Sequence, residues 1–273
     1  MSQSPGEWSA LPQWRAAAAR VQEVERRAMP APGTTVAGEC PICGGRFHVD
    51  IQPGLDLREG LLCGDCHCNA RQRAAAIVLL EELHGRDGAR VYATEQATPF
   101  YIALRRRLPG LRGSEYVRAL RRRLRLSLWL WRNGLREWLR FADLTDLSFG
   151  DASRDAIISL DVLEHVPDHC AALRECARVL ETGGVLVLTV PFYEDNLHSR
   201  ALARVRADGS IEYLAQPEYH GDPVSGGVLC FHHFGWELLH DMREAGFSEA
   251  VARRVHAPQA VVPLGQWVLV ARR

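Results

Sequence analysis

The sequence predicts an α/β protein with a doubly wound, mostly parallel sheet and a small cysteine module near its N-terminus. Three observations predict it. Residues 155–191 read as strand, acidic turn, helix, Gly-Gly and strand, the pattern of a βαβ unit. Two Cys-x-x-Cys knuckles stand within residues 39–68, outside any such pattern. The 273 residues, 47% of them hydrophobic, suffice for one large domain and an appendage.

Taken in order, residues 8–28 form an amphipathic helix with Trp8, Leu11, Trp14, Val21 and Val24 on its apolar face, and Pro12 sets its regular start. Met29-Pro30-Ala31-Pro32-Gly33 ends it, so residues 1–38 are a helix and linker. Residues 39–75 hold the cysteine module. An Ala/Leu-rich helix over 71–83 connects it to the α/β unit, residues 85–273, after a break between Gly85 and Gly88. That unit opens with a strand over 90–94, a helix over 101–108 and a strand over 113–117. An Arg-rich helical insertion over 118–140 carries Trp129, Trp131 and Trp138, and a short strand over 140–144 follows. Residues 156–160 form a buried strand ending at Asp161. Asp168 caps a helix whose Leu173, Cys176, Val179 and Leu180 share a face, Gly183-Gly184 supplies its stop, and residues 185–190 form the next strand. The connection that follows, to His233, is too long for an ordinary loop and is read as a lid or substrate loop. A helix over 234–245 and strands over 251–255 and 267–271 close the chain.

Composition excludes several chemistries. The 33 basic and 33 acidic residues cancel, so no global charge points to nucleic acid or a membrane surface. All 33 basic residues are arginine, which removes a Walker lysine, a Schiff-base lysine and a lysine base. No apolar run approaches the roughly 18 residues of a membrane span, so a membrane partner is not expected and a cytoplasmic location is. There, eight cysteines read as metal ligands or buried thiols rather than disulfides.

In Cys40-Pro-Ile-Cys43-Gly-Gly and Cys63-Gly-Asp-Cys66, nineteen residues separate Cys43 from Cys63. Two such knuckles can present four thiolates tetrahedrally to one zinc ion, and the glycines allow tight turns around it. With four protein ligands the zinc is structural, and its binding supplies much of the folding free energy of a segment with little core. His67 and Cys68 are alternative ligands beside the second knuckle.

Joined to Asp143-Leu144-Thr145-Asp146-Leu147-Ser148-Phe149, the 155–191 segment resembles class I S-adenosylmethionine-dependent methyltransferases. The turn Asp161-Val-Leu-Glu164-His165-Val-Pro167 and the Gly-Gly-x-Leu strand carry the likeness. Within the superfamily the chain is similar to bacterial members with an N-terminal zinc module. The resemblance, over residues 88–273, implies a Rossmann-like seven-stranded sheet and S-adenosylmethionine as cofactor. It implies that Glu115, with Tyr116 beside it, accepts from the ribose hydroxyls, and that Asp143, with Leu144 and Thr145, meets the adenine. Leu160, Asp161 and His165 then flank the methionine and sulfonium end. The loop after the first strand, Ala93 to Pro99, lacks the glycines usual there, so Thr94, Glu95 and Gln96 are expected to meet the cofactor through side chains.

Methyl transfer to a hydroxyl requires removal of a proton, and without lysine the base is a histidine or a carboxylate, the candidate histidines being His165, His220 in Tyr219-His220-Gly221-Asp222, and His232 and His233. The expected acceptor is a small molecule or a sugar-containing metabolite, attacked at oxygen. RNA is the alternative substrate, and a non-catalytic binding protein on a degenerate methyltransferase fold the other reading. The arginines and tryptophans of 118–140 suit phosphates and bases, but a solvated helix face with tryptophans packed inward is the simpler expectation.

Overall fold

The structure, a computed structural model, describes residues 6–86, 88–221 and 227–273. Residues 1–5 of the N-terminal segment, Asp87 of the predicted break and Asp222 of the histidine motif lie outside the described residues. The chain runs through β1 (Glu7–Trp8), α1 (Leu11–Ala28), a hairpin of β2 (Thr35–Glu39) and β3 (Arg46–Asp50), and α2 (Ala70–Leu83). The α/β unit continues with β4 (Val91–Ala93), α3 (Pro99–Arg107), β5 (Arg112–Gly113), α4 (Leu120–Arg132), β6 (Arg154–Leu160), α5 (His169–Val179) and β7 (Leu180–Thr189). Six short strands follow: β8 (Arg200–Ala201), β9 (Ala203–Val205), β10 (Ile211–Tyr213), β11 (Tyr219–His220), β12 (Val228–Leu229) and β13 (His232–His233). Then come α6 (Glu237–Glu244), β14 (Glu249–Ala257) and β15 (Val262–Arg272).

Seven strands make one sheet in the order β1-β14-β15-β7-β6-β4-β5. β5, β4, β6 and β7 run parallel, while β15 enters antiparallel between β7 and β14. The period-2 alternation of strand side chains divides the core between two faces. Val91, Ala93, Ala156 and Ile158 pack with Leu79 of α2 and Phe100 and Leu104 of α3. Tyr92, Ile157, Leu186 and Leu188 pack with Trp14 of α1, Leu173 of α5 and Leu239 and Met242 of α6. Helices therefore cover both faces, which is the doubly wound arrangement expected. The cysteine module is continuous with the first face, since Cys40, Ile42, Phe47, Leu61 and Cys63 share that cluster.

Four details differ from the sequence reading. Residues 140–144 form no strand of the sheet: Phe141 makes a single parallel bridge to Glu115 and Asp143 bridges back to Asp146, because the Asp143 carboxylate accepts from the Thr145 N–H and hydroxyl and turns the backbone. β1 supplies the seventh strand instead, at the opposite edge. Gly183-Gly184 does not stop the helix: α5 ends at Val179, Leu180 is already extended and buried, and Gly183 takes its left-handed conformation inside β7, where the pairing with β6 shifts register. The connection after β7 is organised into β8 to β13, and the pairing of His232–His233 with β8 delays the last helix to Glu237. On α1, Val24 is exposed, whereas Glu25 is buried and its carboxylate grips Arg254 at 2.6 and 2.9 Å.

Candidate active site and cysteine centre

The carboxyl ends of the parallel strands converge where ligands bind in open α/β sheets. At the end of β4, Thr94 donates its hydroxyl to Ser159 at 3.0 Å, and the loop Glu95–Ala97 crosses directly over Gly113 of β5. A Cβ at Gly113 would stand 2.5 Å from the Glu95 carbonyl oxygen, so the close backbone approach is made possible by a glycine on the neighbouring strand. Glu115 completes this turn, its Oε1 accepting from the N–H groups of Gln96 and Ala97 at 2.8 and 2.7 Å. Burial raises the Glu115 pKa against the pull of these two donors. Burial likewise pushes Glu95 up to about 7.

Gln96 is turned away from the ligand edge. It is fully buried, its Nε2 donates to the Trp138 carbonyl and its Oε1 accepts from the Arg140 N–H, so the amide fastens the insertion to the first loop. Tyr116 is largely exposed, its ring against Phe141 with the Arg118 guanidinium over it. Asp143 is committed on Oδ1 to the Thr145 turn, Leu144 packs against the core, and Leu160 is buried within it. Among the tryptophans of the insertion, Trp129 packs on the cluster around Leu130, but Trp131 and Trp138 stack edge to face at the surface, contrary to the inward packing expected.

Asp161 terminates β6 in a left-handed conformation, uncommon for a non-glycine residue, φ +51°. Its carboxylate accepts from Thr189 at 2.7 Å and pairs with two arginines of the cysteine module, Arg58 at 2.6 Å and Arg71 at 3.3 Å. Burial opposes its ionisation, yet Arg71 and Arg58 hold its pKa below the usual value. Glu59 pairs with Arg71 at 2.9 Å. That Arg58, Glu59 and Arg71 reach the end of β6 is not legible in the sequence, since nothing in the spacing links residue 58 to residue 161.

A single 3₁₀ turn, Leu163–His165, follows. Glu164 is buried, and burial pushes its carboxyl up to about 8, with the Asp161 charge adding to the effect. His165 donates its Nδ1–H to the Leu229 carbonyl at 2.9 Å, leaving Nε2 without the proton in the neutral ring. The His220 ring lies 5.7 Å from it, edge to face. His232 and His233 are not part of this group. His232 is buried, donates Nε2–H to the Pro167 carbonyl at 3.1 Å and packs on His169 and Phe234; His233 meets Glu218 at 2.7 Å.

In the N-terminal module, Cys40 and Cys66 sulfurs are 3.6 Å apart and those of Cys43 and Cys63 3.7 Å, and all four lie within 4.8 Å of one another. Bonds of about 2.3 Å to a tetrahedral zinc place sulfurs about 3.8 Å apart, so the set fits that ion. The Gly45 N–H points at the Cys43 sulfur, 3.4 Å away. Burial pushes the Cys43 thiol up to about 11, so a cation is what would favour its thiolate. His67 and Cys68 are not among the four clustered residues; the Cys68 sulfhydryl points to the Cys66 carbonyl. The fully buried Arg73 guanidinium donates to the carbonyls of Leu61, Cys68, Ala260 and Val261, joining the module to the turn between β14 and β15.

Residues 79–188 match the family model described as methyltransferase domain. Over 50 residues the chain is 42% identical to a protein of Mycobacterium tuberculosis named probable S-adenosylmethionine-dependent methyltransferase, an alignment covering 18% of each. It is 30% identical over 128 residues to a sterol 24-C-methyltransferase of Aspergillus fumigatus, covering 44% of this chain and 32% of that one. A third relative, 27-O-demethylrifamycin SV methyltransferase of Amycolatopsis mediterranei, is 44% identical over 48 residues, 18% of each chain. These alignments thus span well under half of each relative's length. Among the solved structures, an S-adenosylmethionine-dependent methyltransferase from Mesorhizobium loti is 17% identical with a TM-score of 0.46, covering 73% of this chain and 98% of that one. By its strand order, its Asp161–Pro167 turn and the match over residues 79–188, the α/β unit is similar to the class I S-adenosylmethionine-dependent methyltransferases.

Proposed function

We propose that this protein transfers a methyl group from S-adenosylmethionine to oxygen of a small-molecule or sugar-containing acceptor. The observation that carries the reading is the match to a methyltransferase domain over the residues that build the carboxyl ends of β4, β5 and β6. The bound cofactor supplies an electrophilic methyl on a sulfonium. On this reading Glu115 accepts from the ribose hydroxyls while its Oε1 fixes the glycine-free loop, Asp143 lies beside the adenine, and Thr94 and Glu95 border the methionine end. Gln96 acts at one remove, by anchoring the insertion beside the first loop. Relatives whose printed names include a sterol and a rifamycin support a small-molecule acceptor.

The cysteine module holds a structural zinc, because four thiolates close the coordination sphere. It also forms one wall of the reacting end, through Arg58 and Arg71 on Asp161. The test is incubation of zinc-loaded protein with methyl-labelled S-adenosylmethionine and a panel of sterols, macrolactones and glycosides, with bulk RNA alongside. Label in a small-molecule product, alkali-stable as an ether, is the expected result. Label in RNA, or none with cofactor demonstrably bound, overturns the acceptor class.

A further inference from the structure

We infer that Glu164, His165 and His220 form a second metal site, taking a divalent transition-metal ion at the reacting end of the sheet. One ligand atom from each lies within 4.8 Å of the others. Glu164 is 1% exposed, and its Oε2 is buried without a hydrogen-bond partner among the described residues. An orphaned buried carboxylate oxygen is costly, and a coordinated cation is one of the few groups that satisfies it. His165 Nε2 stands 3.9 Å from the other Glu164 oxygen, and its ring is oriented by the Nδ1–H bond to Leu229. A second hydrogen bond of this kind, donated to a backbone carbonyl, is how metal-binding histidines are usually fixed in tautomer and direction.

His220 is brought to the group by the β11–β12 pairing, in which Tyr219 faces Leu229 and His220 faces Val228. Two residues beyond β12, the Phe231 N–H donates to the Glu164 backbone carbonyl at 2.7 Å and ties this part of the chain to the turn. Two imidazoles and one carboxylate suit zinc, iron, cobalt or manganese better than magnesium. Bonds of about 2.1 Å require ligand atoms roughly 3.4 Å apart in a tetrahedron, so the group must contract by about 1 Å. The partly exposed His220 is the member whose side chain is placed to make that shift.

Three protein ligands leave a position open, as in catalytic rather than structural sites. On the methyl-transfer reading above, on which this role rests, that position takes the acceptor hydroxyl. The bound hydroxyl gives its proton to water, its oxygen lone pair forms the bond to the methyl carbon, and the carbon–sulfur pair remains on sulfur.

The test uses full-length protein dialysed against cobalt(II). Wild type is expected to bind two equivalents, one showing thiolate-to-cobalt charge transfer and one showing only weak d–d bands. His220→Ala, at a partly exposed position, and Glu164→Gln should each weaken the second equivalent more than about tenfold while the thiolate bands stay. A single equivalent in wild type, or an unchanged second equivalent in His220→Ala, overturns the site. S-adenosylmethionine titrated into the same samples separates the outcomes: cofactor binding without the second metal defeats only this inference, whereas no cofactor binding defeats the methyltransferase reading.

Discussion

At the scale of single residues, Cys43, Arg73 and Glu115 each hold together groups that are distant in sequence. Cys43 contributes one of four sulfurs, so Cys43→Ser should release zinc and destabilise the N-terminal third; one zinc per chain measured on the variant would mean a different ligand set. Arg73 is a buried cation bonded only to carbonyls, two in the module and two in the β14–β15 turn. The negative charge of a thiolate–zinc cluster is the natural counterweight to it. Arg73→Met takes the donors from the Leu61, Ala260 and Val261 carbonyls and leaves that of Cys68 only the Cys63 N–H, and urea unfolding should show a loss of about 3 to 5 kcal/mol. A loss under about 1 kcal/mol would mean that those carbonyls find other partners. Glu115→Ala removes a proposed ribose acceptor and the partner of two loop N–H groups together. Calorimetry should show cofactor binding weakened by about tenfold or more. An unchanged dissociation constant would place the ribose elsewhere.

At the scale of elements, the parallel strands are held at their amino ends by charge as well as by ladder bonds. Asp155 at the start of β6 accepts from Arg90 just before β4, from the backbone N–H at 2.5 Å and the guanidinium at 2.6 and 3.1 Å. That hydrogen-bonded arginine holds its pKa down at about 2. A carboxylate depressed in the folded state contributes stability above its unfolded value, and that contribution is lost as pH falls from about 4 through 2. Because Arg90 is exposed, solvent screening keeps the contribution well below the full shift. Asp155→Asn should therefore unfold more easily than wild type at pH 7, with the difference vanishing near pH 2; a constant difference would assign the effect to packing. The elements legible in sequence were those with strong local periodicity: β6, α5 and the latter part of β7, together with α1, α2 and α3. The hidden ones depend on distant partners. β1 is two residues that gain strand character only by pairing with β14, and the 140–144 strand was lost to the local Asp143–Thr145 turn.

Over the whole molecule, the cysteine module is packed into the α/β unit rather than strung before it. Its cluster shares one hydrophobic core with α2, α3 and the sheet, and Arg58 and Arg71 stand over Asp161. The four cysteines and the β6 turn could be found from spacing and motif, because each lies within a short stretch of chain. Arg58, Arg71 and the Glu164–His220 juxtaposition could not, since chain folding alone brings residues 58 and 161, or 164 and 220, together. Zinc removal by a chelator is thus expected to loosen the reacting end as well as the module, reducing methyl transfer in step with zinc content. Activity retained in zinc-free, folded protein would separate the two. The carboxyl ends of β4, β5 and β6, with a first loop that carries no glycine, are expected to bind S-adenosylmethionine. Isothermal titration of zinc-loaded, folded protein with S-adenosylmethionine tests it most directly: saturable heat at one site per chain is the predicted result, and the absence of binding at millimolar cofactor would contradict it.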